Sequence, residues 1–478
     1  MKEKEPPTDP SGLNRRSFLR NSAITGGALL LSGRQAHAQT KRNEQLQVAL
    51  VGCGSQGDKL YKSVEGIPLT SNLQVHFRAV CDIWDSKRRR LANKARQKGH
   101  DAVEYVDFED LLEKEAGKLD AVFVASPDFC HHTHTNAALQ AGLHVYCEKM
   151  MSNTIEDARS MVVTANQTGK LLQIGHQRRS NPRYRNLVSD LLHQESLLGR
   201  ITHATAQWNR GVQSSKPITV AKSLNLDSST LKKYGYGDMR EFLNWRMFKR
   251  YGGGVISDLG AHQIDLFGWF LNAKPKSVLA AGGVNYWDEY ELPDNVMAIY
   301  DFETPEGISR AYYQVLTTSS SLGFFERFMG DEGTVTISEN PSQNQAYRES
   351  TAPKWDRFVD SGKLVNVADA SADSEARYKW QQAKPWGEPP TPWKVSGNGI
   401  VDSRASAALE AYELGTSLDL LPHTPHVMNF VEAVKADDKS LLNCPGEEGY
   451  RTCVAVLSAY ESMESGSKRN FSDADFAV

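Results

Sequence analysis

Between Gln45 and Asp82 the sequence spells a dinucleotide-type strand–turn–helix unit, and few folds can hold one. Gln45 to Val51 is a short β-rich run that ends at Gly52-Cys53-Gly54-Ser55-Gln56-Gly57. In this pattern Gly52 permits the tight turn, Gly54 lets the backbone approach a pyrophosphate, and Gly57 lets the following helix pack on the strand. The helix opens at Ser55 and Gln56, where free N–H groups and a partial positive charge suit phosphate. Taken alone, the spacing also fits a glycine turn without a ligand. The second β-rich run, Val75 to Cys81, adds a functional signal because it ends at Asp82. A carboxylate there can accept from both ribose hydroxyls and repels a 2′-phosphate, which favours NAD over NADP. The basic run Lys87, Arg88, Arg89, Arg90 keeps NADP open, although it equally suits the solvated face of a helix.

The alternation continues. Leu119 to Ala125 is a third strand ending in Ser126-Pro127, and a helix over Thr135 to Ala141 leads to a fourth strand, His144 to Cys147. Strands alternating with helices in this way form a doubly wound parallel sheet. Ligands bind such sheets beyond the carboxyl ends of the strands, where Ser126, Pro127, Glu148 and Lys149 fall. His131, His132 and His134 lack a companion Cys or acid at a metal-binding spacing, so no metal is expected. His131 is placed instead along the nicotinamide pocket. The first domain is set at residues 41–168.

Ahead of it stands Asn14-Arg15-Arg16-Ser17-Phe18-Leu19-Arg20, then a short apolar run from Ala23 to Leu31 and the small-x-small site Ala36-His37-Ala38. This is the layout of a twin-arginine leader, so residues 1–40 are excluded from the fold. That export machinery moves folded proteins, which suits a protein that collects a soluble cofactor first. A periplasmic location offers no nicotinamide pool for exchange, so the cofactor is expected to be tightly bound and restored in the same site. No cysteine follows the apolar run, and no later stretch is long and apolar enough to span a bilayer, so no stable membrane anchor is expected. Lys and Arg number 55 against 58 Asp and Glu, for a net charge of −3, which points to no nucleic-acid partner. The six cysteines form no CxxC pair in a chain of 478 residues and are read as small buried hydrophobes.

Three motifs carry a resemblance. Gly142-Leu143-His144-Val145-Tyr146-Cys147-Glu148-Lys149 closes the first domain. Gly175-His176-Gln177-Arg178-Arg179 follows a strand over Leu171 to Ile174, and Gly252 to Asp265 (GGGVISDLGAHQID) opens a helix. In this order the set resembles the Gfo/Idh/MocA family of glucose–fructose oxidoreductase, inositol dehydrogenase and MocA. The resemblance covers nearly all of the chain from Gln45 onward and is weakest between about 340 and 400. It implies a Rossmann domain followed by an α/β domain with a large, mostly antiparallel open sheet, here residues 169–478. It also implies hydride transfer between a sugar or polyol carbinol and NAD(P), with Lys149 as the lysine of the family's Glu-Lys-Pro motif and Asp258 and His262 as its Asp-x-x-x-His pair. A homo-oligomer is expected by the same analogy.

The residue chemistry agrees. Oxidising a secondary alcohol needs a base for the hydroxyl proton and a donor beside the developing alkoxide. Asp258 and His262, four apart, share one face of a helix. His262 is the expected base, Asp258 orients it or binds a neighbouring hydroxyl, and Lys149 polarises the carbinol oxygen. Met150 replaces the family proline. Because a non-proline cis peptide costs about 2.5–4 kcal/mol, a trans bond is expected there. Arg178 and Arg179 leave two uses open, holding substrate oxygens or forming an ion pair between domains. Trp245 is placed at the sugar, with core packing as the other option. The polar stretch 340–400, with Trp355, Trp380, Trp386, Trp393 and the Pro-rich Lys384 to Pro392, is read as an insertion that wraps, lids or contacts another subunit. Pro425 to Ala436 and Gly446 to Met463 are expected helices. The function expected from sequence is an exported NAD(P)-dependent sugar or polyol oxidoreductase. The alternatives are redox-neutral glycoside cleavage or epimerisation, and a non-catalytic sugar-binding protein of the same fold.

Overall fold

A computed structural model describes residues 45–367 and 409–478. The twin-arginine segment lies outside the described residues, as do Trp380, Trp386, Trp393 and Lys384 to Pro392. Six β-rich runs form one parallel sheet: β1 (Leu46–Val51), β2 (Val75–Cys81), β3 (Val103–Tyr105), β4 (Ala121–Val124), β5 (His144–Cys147) and β6 (Leu172–Ile174). Their order is β3-β2-β1-β4-β5-β6, the doubly wound arrangement, which reverses direction between β1 and β4. Helices α1 (Ser55–Glu65), α2 (Asp85–Arg96), α3 (Phe108–Glu115), α4 (Asp128–Gln140) and α5 (Ile155–Thr168) connect the strands.

Both faces of this sheet are covered, which is why its strands read as unbroken apolar runs rather than alternating ones. On one face Val48, Leu50, Phe77 and Phe123 pack against Leu60 and Val64 of α1 and against Val427, Phe430 and Val431. Those last three come from α7 (Thr424–Ala436), far along the chain. On the other face Ala49, Val51, Val122 and Val145 join a core that continues into the second sheet. At roughly 1.5–3 kcal/mol for each large apolar side chain fully buried, the apolar face of α7 holds it to the parallel sheet. Hydrogen bonds from Thr424 to the Ser63 carbonyl and from His426 to the Ile174 carbonyl add to this. The expected boundary at residue 168 is therefore corrected. β6 extends the parallel sheet to Ile174, because Val145 to Cys147 pairs with Leu172 to Ile174, and α7 returns to cover it.

The second sheet contains, among the described residues, ten strands: β7 (Ile201–Asn209), β8 (Pro275–Gly283), β9 (Asn295–Thr304), β10 (Gly307–Leu316), β11 (Phe324–Gly330), β12 (Gly333–Ile337), β13 (Gln345–Arg348), β14 (Leu364–Asn366), β15 (Glu410–Leu414) and β16 (Arg469–Asn470). The order is β14-β15-β13-β12-β11-β7-β10-β9-β8-β16, and every pairing but β7 with β10 is antiparallel. Helices α6 (Ala261–Leu271) and α8 (Gly446–Ser465) cover one of its faces with Phe267, Phe270, Val454 and Leu457. Alternation in β9 matches this placement: Val296, Ala298 and Tyr300 are buried, whereas Met297 and Ile299 are exposed. Trp355, read as part of an insertion, is buried against Tyr412 and joins this core. All six cysteines are free thiols, and all but the half-buried Cys130 are buried.

Candidate active site

The glycine turn has the shape of a dinucleotide cradle. Gly52 sits at φ +92°, and a Cβ there would lie 2.4 Å from the Ala125 carbonyl oxygen. A Cβ on Gly57 would lie 1.9 Å from the Gly52 carbonyl oxygen, so α1 could not pack this closely on β1 with any other residue. Nothing stands within 4 Å of the corresponding point on Gly54, which leaves the turn open where a pyrophosphate would approach. No side chain caps the N-terminus of α1, so the N–H groups following Ser55 face that space. These features fit a nicotinamide dinucleotide.

Asp82 does more than the sequence implied. Its Oδ2 accepts from the Cys53 N–H at 2.6 Å and its Oδ1 from the Trp84 N–H at 2.7 Å, so it ties the glycine turn to the end of β2. Each oxygen keeps a second lone pair for a ribose hydroxyl. The neighbouring basic residues are committed elsewhere. Arg88 donates to the Asp82 carbonyl, Arg89 pairs with Asp85, and Arg90 pairs with Asp58.

Beyond the strand ends, Lys149, Asp258 and His262 converge. Lys149 Nζ donates to the Asp258 carbonyl at 2.7 Å and lies 3.6 Å from its Oδ1. Arg246 Nε donates to the same Oδ1 at 2.8 Å, and Arg210 Nη1 lies 3.8 Å from Oδ2. Burial alone would raise the Asp258 pKa, but Arg246, Lys149 and Arg210 together hold it well below the usual carboxylate range. Asp258 occupies a π-helical turn, Ile256–Gly260, that runs into α6, a distortion found often at functional sites. Among the described residues no hydrogen bond joins Asp258 to His262. The expected orienting role is therefore corrected: the carboxylate is the counter-ion of Lys149 and Arg246.

His262 is 9 % exposed, and its Nδ1 has no hydrogen-bond partner. Desolvation first, then the charge of Lys149, drives its pKa well below the ordinary value, so the ring is a neutral proton acceptor. Trp208 of β7 lies beside it at 5.7 Å, and His176 at 6.5 Å. Asp128, at the start of α4, is also buried near Lys149 and Arg246, and burial pushes its carboxyl up to about 7.

Other expected residues take structural roles. Arg178, with 1 % of its side chain exposed, pairs with Glu326 and with Glu339 and lies under the Trp208 ring. Of the two uses left open by the sequence, the structure shows the ion pair. Arg179 pairs with Asp265, with two contacts from Nε and one from Nη2. Both nitrogens of His131 face backbone carbonyls at 2.6 Å, those of Met150 and Ser126, so the ring pins these two loops rather than lining the pocket. Trp245 is half-buried against the cluster of Leu231, Tyr236, Phe248 and Tyr251, and the Arg246 guanidinium covers its ring at 4.2 Å. That covered face is closed to a sugar. Ser126 Oγ is bonded to His134, and Pro127 caps α4. Glu148, 3 % exposed, faces Gly175 and accepts from the Lys149 N–H at 3.3 Å.

The Lys149–Met150 peptide is cis, contrary to expectation. The surroundings supply what the proline would have: Met150 is buried and its carbonyl is fixed by His131. Residues missed from sequence are Arg210, Trp208 and His423, whose Nε2 lies 3.0 Å from Gln56 Nε2 in the glycine turn.

Comparison with known proteins identifies the family over both domains. The oxidoreductase family profile with an NAD-binding Rossmann fold (GFO_IDH_MocA) matches residues 46–176, and the GFO/IDH/MocA C-terminal domain profile matches residues 191–335. D-glucoside 3-dehydrogenase of Escherichia coli (strain K12) is 31 % identical over 312 residues, which covers 61 % of this chain and 77 % of that one. The chain belongs to the Gfo/Idh/MocA family. Another Gfo/Idh/MocA relative, 1,5-anhydro-D-fructose reductase of Ensifer adhaerens, is 27 % identical over 309 residues, 63 % of this chain and 81 % of that one. The structure of levoglucosan dehydrogenase in complex with NADH and levoglucosan superposes with a TM-score of 0.62 at 15 % identity, covering 90 % of this chain and all of that one. The family is one of NAD-binding sugar oxidoreductases, and this chain carries its fold in both domains.

Proposed function

We propose that this protein passes hydride between a sugar or polyol carbinol and an NAD held on the glycine turn, in an exported, closed redox cycle. The observation that carries this is the convergence of Lys149, Asp258 and a neutral, unpartnered His262 beyond the carboxyl ends of the parallel strands. A bound nicotinamide would supply the hydride acceptor. Lys149 would sit at the carbinol oxygen and steady its negative charge as the hydride leaves. His262 takes the hydroxyl proton, and Asp258 keeps Lys149 and Arg246 in place. Asp82 favours NAD over NADP, since its carboxylate opposes a 2′-phosphate and Arg89 and Arg90 are already paired. The names of the relatives, which act on a glucoside and an anhydrofructose, support a carbohydrate substrate.

The test is to isolate the protein from the periplasm, read its N-terminus and identify the nucleotide released on denaturation. A chain starting just after Ala38 that carries close to one equivalent of NAD(H), and that exchanges label from a carbinol-deuterated sugar into it, is the expected result. Cleaved glycoside with no net nicotinamide change would redirect the cycle to redox-neutral chemistry. Protein that binds neither NAD nor NADP would overturn the proposal.

We further propose a homo-oligomer through the outer face of the second sheet, where Leu279 pairs with Ile299 and both are exposed beside Met297 and Ile308. A monomer's mass by light scattering would exclude it.

A further inference from the structure

We propose that the substrate is an acidic sugar, with a carboxylate that Arg210 reads; this rests on the proposed function of the same site. Three cations, Lys149, Arg246 and Arg210, surround the single ionised carboxylate of Asp258. The other nearby acid, Asp128, is a weak counter-ion because burial favours its protonated form. Glu148 is hydrogen-bonded to its own chain, at Tyr146 and Lys149, and not to Arg246 or Arg210. At Asp258 itself three cations share one carboxylate.

Lys149 and Arg246 are both hydrogen-bonded to Asp258, but Arg210 is not. Its closest approach to Oδ2, 3.8 Å, is beyond hydrogen-bond range, and among the described residues its guanidinium donates no hydrogen bond. It is nevertheless held in position. The guanidinium lies 5.6 Å from the Trp208 ring, whose centroid is 5.7 Å from that of His262. The same aromatic ring thus flanks the base and the cation that makes no hydrogen bond to Asp258. With 37 % of its side chain exposed and Nη1 3.8 Å from Asp258, Arg210 keeps its planar donor fork available to a ligand at the Lys149–Asp258 cluster. That fork matches a carboxylate in two parallel hydrogen bonds and gives a neutral hydroxyl no comparable partner.

The anion recognised here is not the cofactor's diphosphate. That group belongs over the turn from Gly52 to Gly57, at the N-terminus of α1, whereas Arg210 follows β7 of the second sheet and Arg246 precedes the π-helical turn. It is not an adenosine 2′-phosphate either, because that end of the cofactor is marked by Asp82. The class that fits is a uronic acid or a glycoside of one.

The experiment measures binding to the NAD-loaded protein of matched pairs, glucuronate against glucose and galacturonate against galactose, at low and high salt, by nicotinamide fluorescence after reduction and by calorimetry. At least one uronate is expected to bind tenfold or more tighter than its hexose at low salt, with the advantage shrinking as salt rises. In Arg210→Gln the ratio falls to near one, and in Arg210→Lys it is intermediate, because charge is kept but the fork is lost. Equal binding of acid and neutral sugar, binding of neither pair, or an unchanged ratio in Arg210→Gln would each overturn the proposal. Reduction of bound NAD by a neutral sugar alone would leave the redox function standing while this proposal fails. Selective uronate binding without hydride transfer would do the reverse.

Discussion

Lys149→Met is expected to lower the turnover of the NAD-loaded protein by about 10²–10⁴-fold, with NADH still bound. Methionine keeps a long, unbranched side chain, one atom shorter, while removing the charge and the donor to the Asp258 carbonyl. In the folded chain Lys149 Nζ is fixed by the Asp258 carbonyl at 2.7 Å and by the Asp258 carboxylate at 3.6 Å, and its side chain is only 12 % exposed. A cation held this rigidly needs little reorganisation when an alkoxide forms beside it, and in a water-poor site its charge is weakly screened. The effect should fall on kcat more than on KM, since the alkoxide exists only in the transition state. His262→Asn should cost a similar factor by removing the proton acceptor. The double variant should lose far less than the product of the two, because base and cation serve one proton-and-hydride step. Lys149→Met retaining kcat within tenfold of the unaltered protein would remove Lys149 from the chemistry. Failure to bind NADH would mean instead that the residue supports the cofactor site. Fluorescence of bound NADH separates these outcomes.

How much of this site could be read from the chain depends on how local each constraint is. The glycine turn, Asp82, Lys149, Asp258 and His262 were legible because each stands at a strand end or helix start whose own pattern announces it. The partners of those residues were not. Arg178 finds Glu326 across 148 positions and Glu339 across 161, and no periodicity links such distant residues. Arg210, Arg246 and Trp208 come together around Asp258 and His262 only because β7 and the π-helical turn meet, which is a property of the fold and not of any segment. His423 reaches the glycine turn because α7 packs on α1, and that packing also shifted the domain boundary. The cis bond before Met150 was missed for the same reason: the residue alone disfavours it, and the loop held by His131 accommodates it. Local grammar specified the Rossmann sheet. Long-range packing decided which side chains surround Asp258 and His262.

Acid should unfold the protein well before its carboxylates titrate. Among the described residues five histidines are buried, including His144, His176 and His426; in two of these three a ring nitrogen is already an acceptor. His426, fully buried, donates from Nε2 to the Ile174 carbonyl at 2.9 Å and accepts at Nδ1 from the Ser180 hydroxyl at 2.6 Å. His144 accepts at Nδ1 from the Leu171 N–H at 3.1 Å. His176 makes no hydrogen bond at either nitrogen, although Asp265 Oδ2 lies 3.9 Å from its Nδ1, and it is 1 % exposed. Desolvation lowers the pKa to about 4 for His144 and His176 and to about 3 for His426. In the unfolded chain each would take a proton near 6.5. Between 6.5 and those lower values the unfolded state binds more protons than the folded one, so stability rises with pH there and is lost as pH falls. Each histidine contributes a slope of up to about 1.4 kcal/mol per pH unit, or about 2 kcal/mol by pH 5. Asp128 works in the opposite sense, since its raised pKa of about 7 makes folding bind the extra proton below that value. One such group offsets only one histidine. Urea denaturation should therefore show a midpoint that is flat above pH 7 and falls steeply between pH 6.5 and 5. His426→Gln should be less stable at pH 7.5, because a buried hydrogen-bond pair is lost, yet show a shallower fall with acid, because one proton-excluding site is gone. A midpoint that does not move between pH 7 and 5 would mean that these rings protonate in the folded state, and that the space around His176 admits the water or anion needed to hold the charge.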